Sequence, residues 1–403
     1  MVSPKVLASV SMESALTSSA SSSSLRTPLR VLFATGIYFP EMGGPATHVR
    51  TMARAFHEKG WTPIVVAYGD MQVPSEGWEV VRVSRRYGPL IRYVRYAMQV
   101  WKLAKNADLV YLQGGVSEGL PGTIGALLAG KGSRLMMRVP GDYAWEMSQQ
   151  QPGALFEPLD TFVERSPYGV IGLLARLERW TASKAKAVIA PSQYIKKIVT
   201  AWGVTPEKIQ VIYSAVPPLP SGRSREEVRA AQGWSDRVIL FTVVRAVPWK
   251  GVDFLLKVLS ELPETHVLCV AGDGPLLAVW QAQAESLGLA ARVIFLGRVD
   301  RAVLAGWYEA ADLFLLATGY EGFSHVVVEA VSTGLPCVVS SCAGNPETMQ
   351  LFPEHVRVCS YQDHEAWKQA CLMPVSRAAR LQTDAFHRGT DQLMEVIQSV
   401  CAS

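Results

Sequence analysis

From Leu29 onward, short apolar runs alternate with helix-length amphipathic stretches, and no other feature restricts the fold as sharply. The runs are Val31–Ala34, Ile64–Ala67, Val80–Val83, Leu109–Leu112, Leu135–Val139, Val188–Ala190 and Ile209–Ile212 in the first half. The second half repeats the rhythm with Val238–Val244, Val267–Ala271, Val293–Leu296, Leu313–Leu316, Cys337–Val339 and Val356–Val358. Parallel strands need crossover connections, usually helical, so this alternation predicts parallel sheets covered by helices. Between the halves, "SAVPPLPSGRS" (residues 214 to 224) breaks the periodicity with prolines and glycine and reads as a linker. The expected fold is α/β, with two doubly wound Rossmann-like domains over residues 29–216 and 217–385 facing each other across a cleft. A disordered leader is expected over residues 1–28, and a C-terminal helix over 386–403 is placed to pack back on the first domain.

Composition excludes several classes. The 403 residues are 49% hydrophobic and 18% charged, a globular balance, and no apolar stretch reaches the roughly 20 residues that cross a bilayer. A net charge of +4 is too mild to argue for nucleic acid. The six cysteines all lie in the second half without C-x-x-C spacing, which is neither a zinc site nor a disulfide framework and fits a reducing, cytoplasmic compartment. The first 28 residues lack a charged start followed by a continuous apolar core, so a secretory signal is not expected.

Within "YEGFSHVVVEAVSTGLP" (320 to 336), two glutamates stand eight positions apart, Glu321 beside a glycine and Glu329 between valine and alanine. A carboxylate in such a setting needs a partner, because burying it alone costs several kcal/mol. The pattern predicts a strand through "ADLFLLAT", a turn at "GYEGF" and a helix from Ser324 to Thr333. On one helix, eight residues would set the glutamates about 80° apart; with Gly322 bending the chain, Glu321 reaches instead from the loop. The helix start then lies between two carboxylates, and its free N–H groups and positive dipole end suit a phosphate. A diphosphate flanked by hydroxyl-binding carboxylates describes a nucleotide sugar. A capping glutamate plus a solvated helix face would produce the same spacing.

Arg245 and Lys250 follow the first strand of the second half, in a loop shaped by Pro248 and Gly251. Preorganised cations there would stabilise the charge gained by a leaving diphosphate. Gly43 and Gly44 precede a helix in which Val49, Met52, Ala53 and Phe56 share one face, and they would let backbone approach a ligand. There is no G-x-G-x-x-G, which argues against a nicotinamide cofactor. Gly272 and Asp273 belong to a tight turn, "AGDGP". Asp142, in "MRVPGDYAWE", either orients a sugar hydroxyl or acceptor or caps its turn. His48, His57 and His266 read as structural or surface residues. Residues 82 to 105 hold seven basic residues and no acidic one, with Arg92, Arg95, Lys102 and Lys105 opposite Tyr93, Tyr96, Val100 and Ala104. That is the pattern of a basic helix lying on an anionic membrane, or of an ordinary helix packed on its own sheet.

"EGFSHVVVEAVSTGLPCVVS" resembles the signature of family 4 glycosyltransferases, the retaining enzymes of GT-B fold, down to the glutamate pair with seven residues between. "VVRAVPWKGVDFLLKVL" (243 to 259) is similar to the family's donor-phosphate motif, and "VAGDGPLL", "VIFLGRV" and "PEMGGPATHV" occur in the family's order. The resemblance spans roughly Leu29 to Glu347. It implies a retaining, metal-independent transfer of a hexose from a UDP-, GDP- or ADP-sugar to a hydroxyl of a glycan or lipid-linked acceptor, with no further cofactor. Arg245, Lys250 and the helix start at Phe323, Ser324, His325 and Val326 would hold the phosphates. Glu321 would hold the donor sugar and Glu329 the ribose; Arg298 and Val299 would meet the base, and Gly43 and Gly44 would lie near acceptor and donor. Three departures are Val244 in place of glycine, no histidine after "MRVP", and "YSAVP" where the family often has Asn-Gly-Val-Asp. An epimerase or phosphorylase on the same fold, and a non-catalytic nucleotide-sugar binder, remain open at this point.

Overall fold

A computed structural model describes residues 28–402 apart from 42, 72–75, 152, 215, 374–375 and 382–383, with the side chains of 384–388 also outside the description. The leader expected over 1–28 falls almost wholly outside these residues. Among the described residues, thirteen strands form two parallel sheets. In the first lobe they are β1 Arg30–Thr35, β2 Thr62–Tyr68, β3 Glu79–Val83, β4 Leu109–Leu112, β5 Leu135–Arg138, β6 Ala187–Ala190 and β7 Ile209–Val211. In the second they are β8 Val238–Val243, β9 His266–Ala271, β10 Val293–Gly297, β11 Leu313–Leu316, β12 Cys337–Ser340 and β13 Val356–Cys359. Each matches an expected apolar run to within two residues at either end. Most are buried along nearly their whole length, as β1, β4 and β11 show, because helices cover both faces of a parallel sheet.

Helices of the first lobe are α1 Gly44–Glu58, α2 Pro89–Ala104, α3 Gly119–Leu128, α4 Tyr143–Gln149, α5 Leu159–Glu164, α6 Gly169–Lys184 and α7 Gln193–Ala201. After the linker come α8 Arg225–Ala231, α9 Val252–Ser260, α10 Leu277–Ser286, α11 Arg301–Ala310, α12 His325–Ser332, α13 Asn345–Leu351 and α14 His364–Leu372. The linker ends at a capping box: Ser224 accepts from the Glu227 N–H while Glu227 accepts from the Ser224 N–H, which starts α8. A last helix, α15 Asp384–Ala402, returns to the first lobe, where Leu393, Met394, Ile397 and Val400 join the core formed by α1, β1 and β2.

Strand order is β3-β2-β1-β4-β5-β6-β7 in one sheet and β10-β9-β8-β11-β12-β13 in the other. The order reverses beside β1 in the first and beside β8 in the second, and ligands of doubly wound sheets bind where the loops part at such points. The lobes touch through aromatic rings, Trp145 lying 5.1 Å from Trp249 and 4.6 Å from Tyr320. Polar contacts tie them further. Ser192 donates to the Gly322 carbonyl at 2.6 Å, and Glu347 of α13 accepts from the Gln193 N–H and from the Tyr213 hydroxyl.

Candidate active site

β8 and β11 are neighbours at the reversal, so the loops that leave them meet. Backbone contact holds them together. Gly251 has φ 68°, and a Cβ there would sit 2.1 Å from the Ala317 carbonyl oxygen, so the phosphate-loop candidate after β8 lies directly on the chain leaving β11. The "AGDGP" turn backs the same loop: a Cβ on Gly272, φ 124°, would lie 1.8 Å from the Val244 carbonyl oxygen. The Ala246 N–H donates to the Asp273 carbonyl at 2.9 Å, while the Asp273 carboxylate turns to the Gly274 N–H at 2.7 Å. Gly272 and Asp273 thus support Arg245 through the main chain. Val244, the departure from the family's glycine, is buried in the second-lobe core.

The two cations of the loop each face a carboxylate. Lys250 Nζ lies 2.5 Å from Glu321 Oε1. Arg245 reaches across the gap to Glu146 of α4, 3.4 Å away, with its guanidinium 5.7 Å from the Trp249 ring. α12 begins just after Glu321 in the chain. Ser324 caps it, accepting from the Val327 N–H at 3.4 Å, and the N–H groups of His325 and Val326 have no acceptor among the described residues. Phe323 packs on Tyr213 at 5.4 Å, and Val326 packs on the second-lobe core. Glu321 therefore reaches from the loop, and the helix start stands free beside it, as the bend at Gly322 suggested.

Glu329 finds its partners on α11. Arg301 Nη1 donates to it at 2.6 Å and the Tyr308 hydroxyl at 3.0 Å. Burial pushes the Glu329 carboxyl above the ordinary range while Arg301 and Tyr308 hold it down. Arg301 also donates to the Pro217 carbonyl at 2.9 Å, which fastens the linker to the site.

The other candidates occupy varied positions. Gly43 caps α1 and Gly44 opens it, both exposed, just beyond β1 at the first reversal. Asp142 takes the capping role left open by the sequence: it is buried and accepts from the Trp145 N–H at 2.7 Å. Glu178 of α6 accepts from the Tyr143 N–H at 3.0 Å, so two carboxylates share one helix start. Burial raises the Asp142 carboxyl to about 6 and the Glu178 carboxyl well above its usual range. Arg298 is exposed after β10, and Val299 packs on the second-lobe core. Burial and the charges of Arg138, from the first lobe, and Arg301 lower the His325 ring to about 3, and its ring lies 6.4 Å from that of Phe323. Glu146, Arg301 and Tyr308 escaped the sequence reading. Each is distant in sequence from the residue it serves, and only Glu146, one turn after Asp142 in the quoted stretch, had a signal to follow. Among the described residues no three His, Cys, Asp or Glu side chains gather into a metal-binding set.

Two family models match in succession: Glycosyltransferase Family 4 over residues 42–218, and Glycosyl transferases group 1 over residues 224–370. The chain belongs to the family 4, group 1 glycosyltransferases. HepE from Anabaena, solved in complex with UDP and glucose, superposes with a TM-score of 0.70 at 20% identity, over 93% of this chain and 98% of that one. This likeness establishes the GT-B fold. Among curated relatives, an alpha-monoglucosyldiacylglycerol synthase of Streptococcus pneumoniae is 24% identical over 81% of this chain and 74% of its own length. A GDP-mannose-dependent alpha-(1-6)-phosphatidylinositol monomannoside mannosyltransferase of Mycolicibacterium smegmatis is 30% identical over 43% and 45%. The match spans less than half of the length of several such glycosyltransferase relatives.

Proposed function

We propose that this glycosyltransferase moves a hexose from a nucleotide diphosphate sugar to a hydroxyl of a lipid-linked acceptor, with retention at the anomeric carbon and with protein cations in place of a metal. The observation that carries the reading is the open start of α12 beside Lys250 and Glu321, with Glu329 two turns on. The diphosphate takes the free N–H groups of His325 and Val326 and draws Lys250 and Arg245 from their carboxylates. Glu321, released, accepts hydroxyls of the sugar; Glu329 accepts those of the ribose. The acceptor oxygen attacks the anomeric carbon from the face the diphosphate leaves. A new C–O bond forms as the bond to the β-phosphate oxygen breaks, and that phosphate takes the acceptor's proton. Negative charge on the leaving diphosphate grows through this step, so the cations bind the transition state more strongly than the substrate.

A thermal-shift panel of UDP-, GDP- and ADP-sugars identifies the donor, since a ligand of the folded state raises its apparent stability. With that donor, Lys250→Ala should lower turnover, read as transfer or slow donor hydrolysis, by about 10²–10³-fold. Turnover close to wild type would overturn the assignment.

The lipid acceptor rests on the outer surface of the first lobe. α2 packs on α3 and α3 on α6. Leu90, Ile91, Val94 and Met98 project outward from α2, Leu127 and Leu128 from α3, and Val170 and Leu173 from α6, and Leu90 is 83% exposed. Tyr96, Val100 and Ala104 face the sheet as expected, so the apolar outer stripe is additional to the packed face. Arg86, Arg95, Lys102 and Lys105 rim it. Exposed apolar area bordered by cations suits an anionic bilayer. The two curated relatives bear the names of lipid substrates, phosphatidylinositol monomannoside and monoglucosyldiacylglycerol. The protein should sediment with vesicles of phosphatidylcholine and phosphatidylglycerol at low salt, and Val94→Asp with Met98→Asp should abolish this. Wild-type protein left in the supernatant would dispose of the membrane surface.

A further inference from the structure

The last residue of β5, Arg138, is a buried cation with no anionic partner among the described residues. It is 4% exposed, and its Nη2 donates to Ser214 Oγ at 2.8 Å, just past β7. No carboxylate lies within ion-pair distance of it among the described residues. Burial lowers its proton affinity, and the one group opposing that is the Tyr111 phenol, neutral near pH 7. Side chains alternate along β5, with Leu135 and Met137 on the face toward α2 and α3 and Met136 on the face toward α1. Arg138 therefore lies on the α1 side, at the carboxyl end of the sheet. His48 of α1 and the first residue of α12, His325, are its electrostatic neighbours. Both imidazoles are kept neutral there and supply no compensating charge. His48 is also buried, and neither of its ring nitrogens has a hydrogen-bond partner among the described residues.

Burying a guanidinium without a counter-charge is unfavourable, and a polar ring left without partners beside it adds to the cost. Arginine is suited to planar, two-bond recognition of phosphate. We propose that Arg138, Ser214 and His48 form a phosphate-binding subsite contributed by the first lobe. This rests on the reading above, because His325 joins the subsite to the start of α12, where the donor diphosphate is placed. The phosphate comes either from that diphosphate or from an anionic group on the acceptor, and the two sources separate experimentally.

The experiment uses the full chain and the variants Arg138→Gln and His48→Ala, each first shown to fold with a thermal midpoint no lower than wild type; Arg138→Lys, which keeps the charge and loses the planar two-bond fork, stands in for Arg138→Gln if that variant does not fold. Calorimetry measures binding of UDP, of uridine and of inorganic phosphate, the last with and without saturating UDP, with GDP and guanosine substituted if the donor panel selects them. If the subsite serves the donor, Arg138→Gln weakens the nucleoside diphosphate tenfold or more, leaves the nucleoside unchanged, and UDP displaces phosphate. If it serves the acceptor, nucleoside diphosphate binding is unchanged, while phosphate binds the UDP-saturated wild type and not Arg138→Gln. Identical binding of diphosphate and of phosphate by wild type and Arg138→Gln overturns the proposal. Absence of any nucleoside diphosphate binding by the wild type would defeat the glycosyltransferase donor reading instead, and the phosphate arm alone would then decide the subsite.

Discussion

Asp142 and Glu178 show how a single pair of side chains can set a pH dependence. Both cap the start of α4 from buried positions, with Glu146 adding like charge and Arg179 opposing it at Asp142. In the fold they hold protons at pH values where the unfolded chain, with carboxyls near 4, has lost them. The stability this protonation contributes is complete below about pH 4 and is lost as the pH rises through about 6, the folded value of Asp142. Glu178→Gln removes one charge from the pair and keeps an acceptor for the Tyr143 N–H. Relative to wild type, its thermal midpoint should rise by about 2–4 °C more at pH 7.5 than at pH 4.5. Equal shifts at both values would exclude the pair as the source. None of this was visible in the sequence beyond the alternative of a cap at Asp142, since Glu178 lies 35 residues from the N–H groups it receives. The same holds for Glu329, whose need for a partner was evident from its valine and alanine neighbours but whose partner, Arg301, is 28 residues away.

At the scale of elements, the strands were legible because parallel strands buried on both faces must be continuous apolar runs, and few other segments of this chain are. The turn "AGDGP" was less so. Its composition marks a bend, yet its use is to support the Arg245 loop through backbone contact, which composition does not encode. Gly272→Ala forces a Cβ against the Val244 carbonyl in a backbone conformation that disfavours side chains, and should cost about 2 kcal/mol or more. The loop should shift with it, raising the donor Michaelis constant and lowering turnover. Gly44→Ala is the control: a Cβ there meets nothing within 4 Å, and stability should be close to unchanged. Comparable losses in both variants would mean that the Gly272 contact has no special weight.

For the whole molecule, the two lobes are joined twice, by the linker around Pro217 and by the segment leading into α15. Met394, wholly buried, lies with Leu393 and Ile397 in the first-lobe core. Met394→Ala should destabilise that lobe by about 2–5 kcal/mol, a change read by hydrogen exchange as lost protection in β1 and β2 with the second sheet unaffected. Uniform loss across both sheets would show that the lobes unfold as one unit. The linker's position was readable from its prolines, and the docking of α15 could be anticipated only as a packing option, because which surface receives an apolar helix face depends on contacts more than 300 residues apart in the chain.

That return of α15 also bears on biosynthesis. A ribosome delivers residues 30–211 first, yet the layer beside α1 waits for its final piece until Leu393 to Val400 have left the exit tunnel. The later-made half also waits for late pieces, since Arg377 and Leu381 complete its second-lobe contacts, but these emerge shortly before α15 does. During that interval the nascent amino-terminal half presents an uncovered apolar groove, the stretch of its life in which a chaperone would matter most.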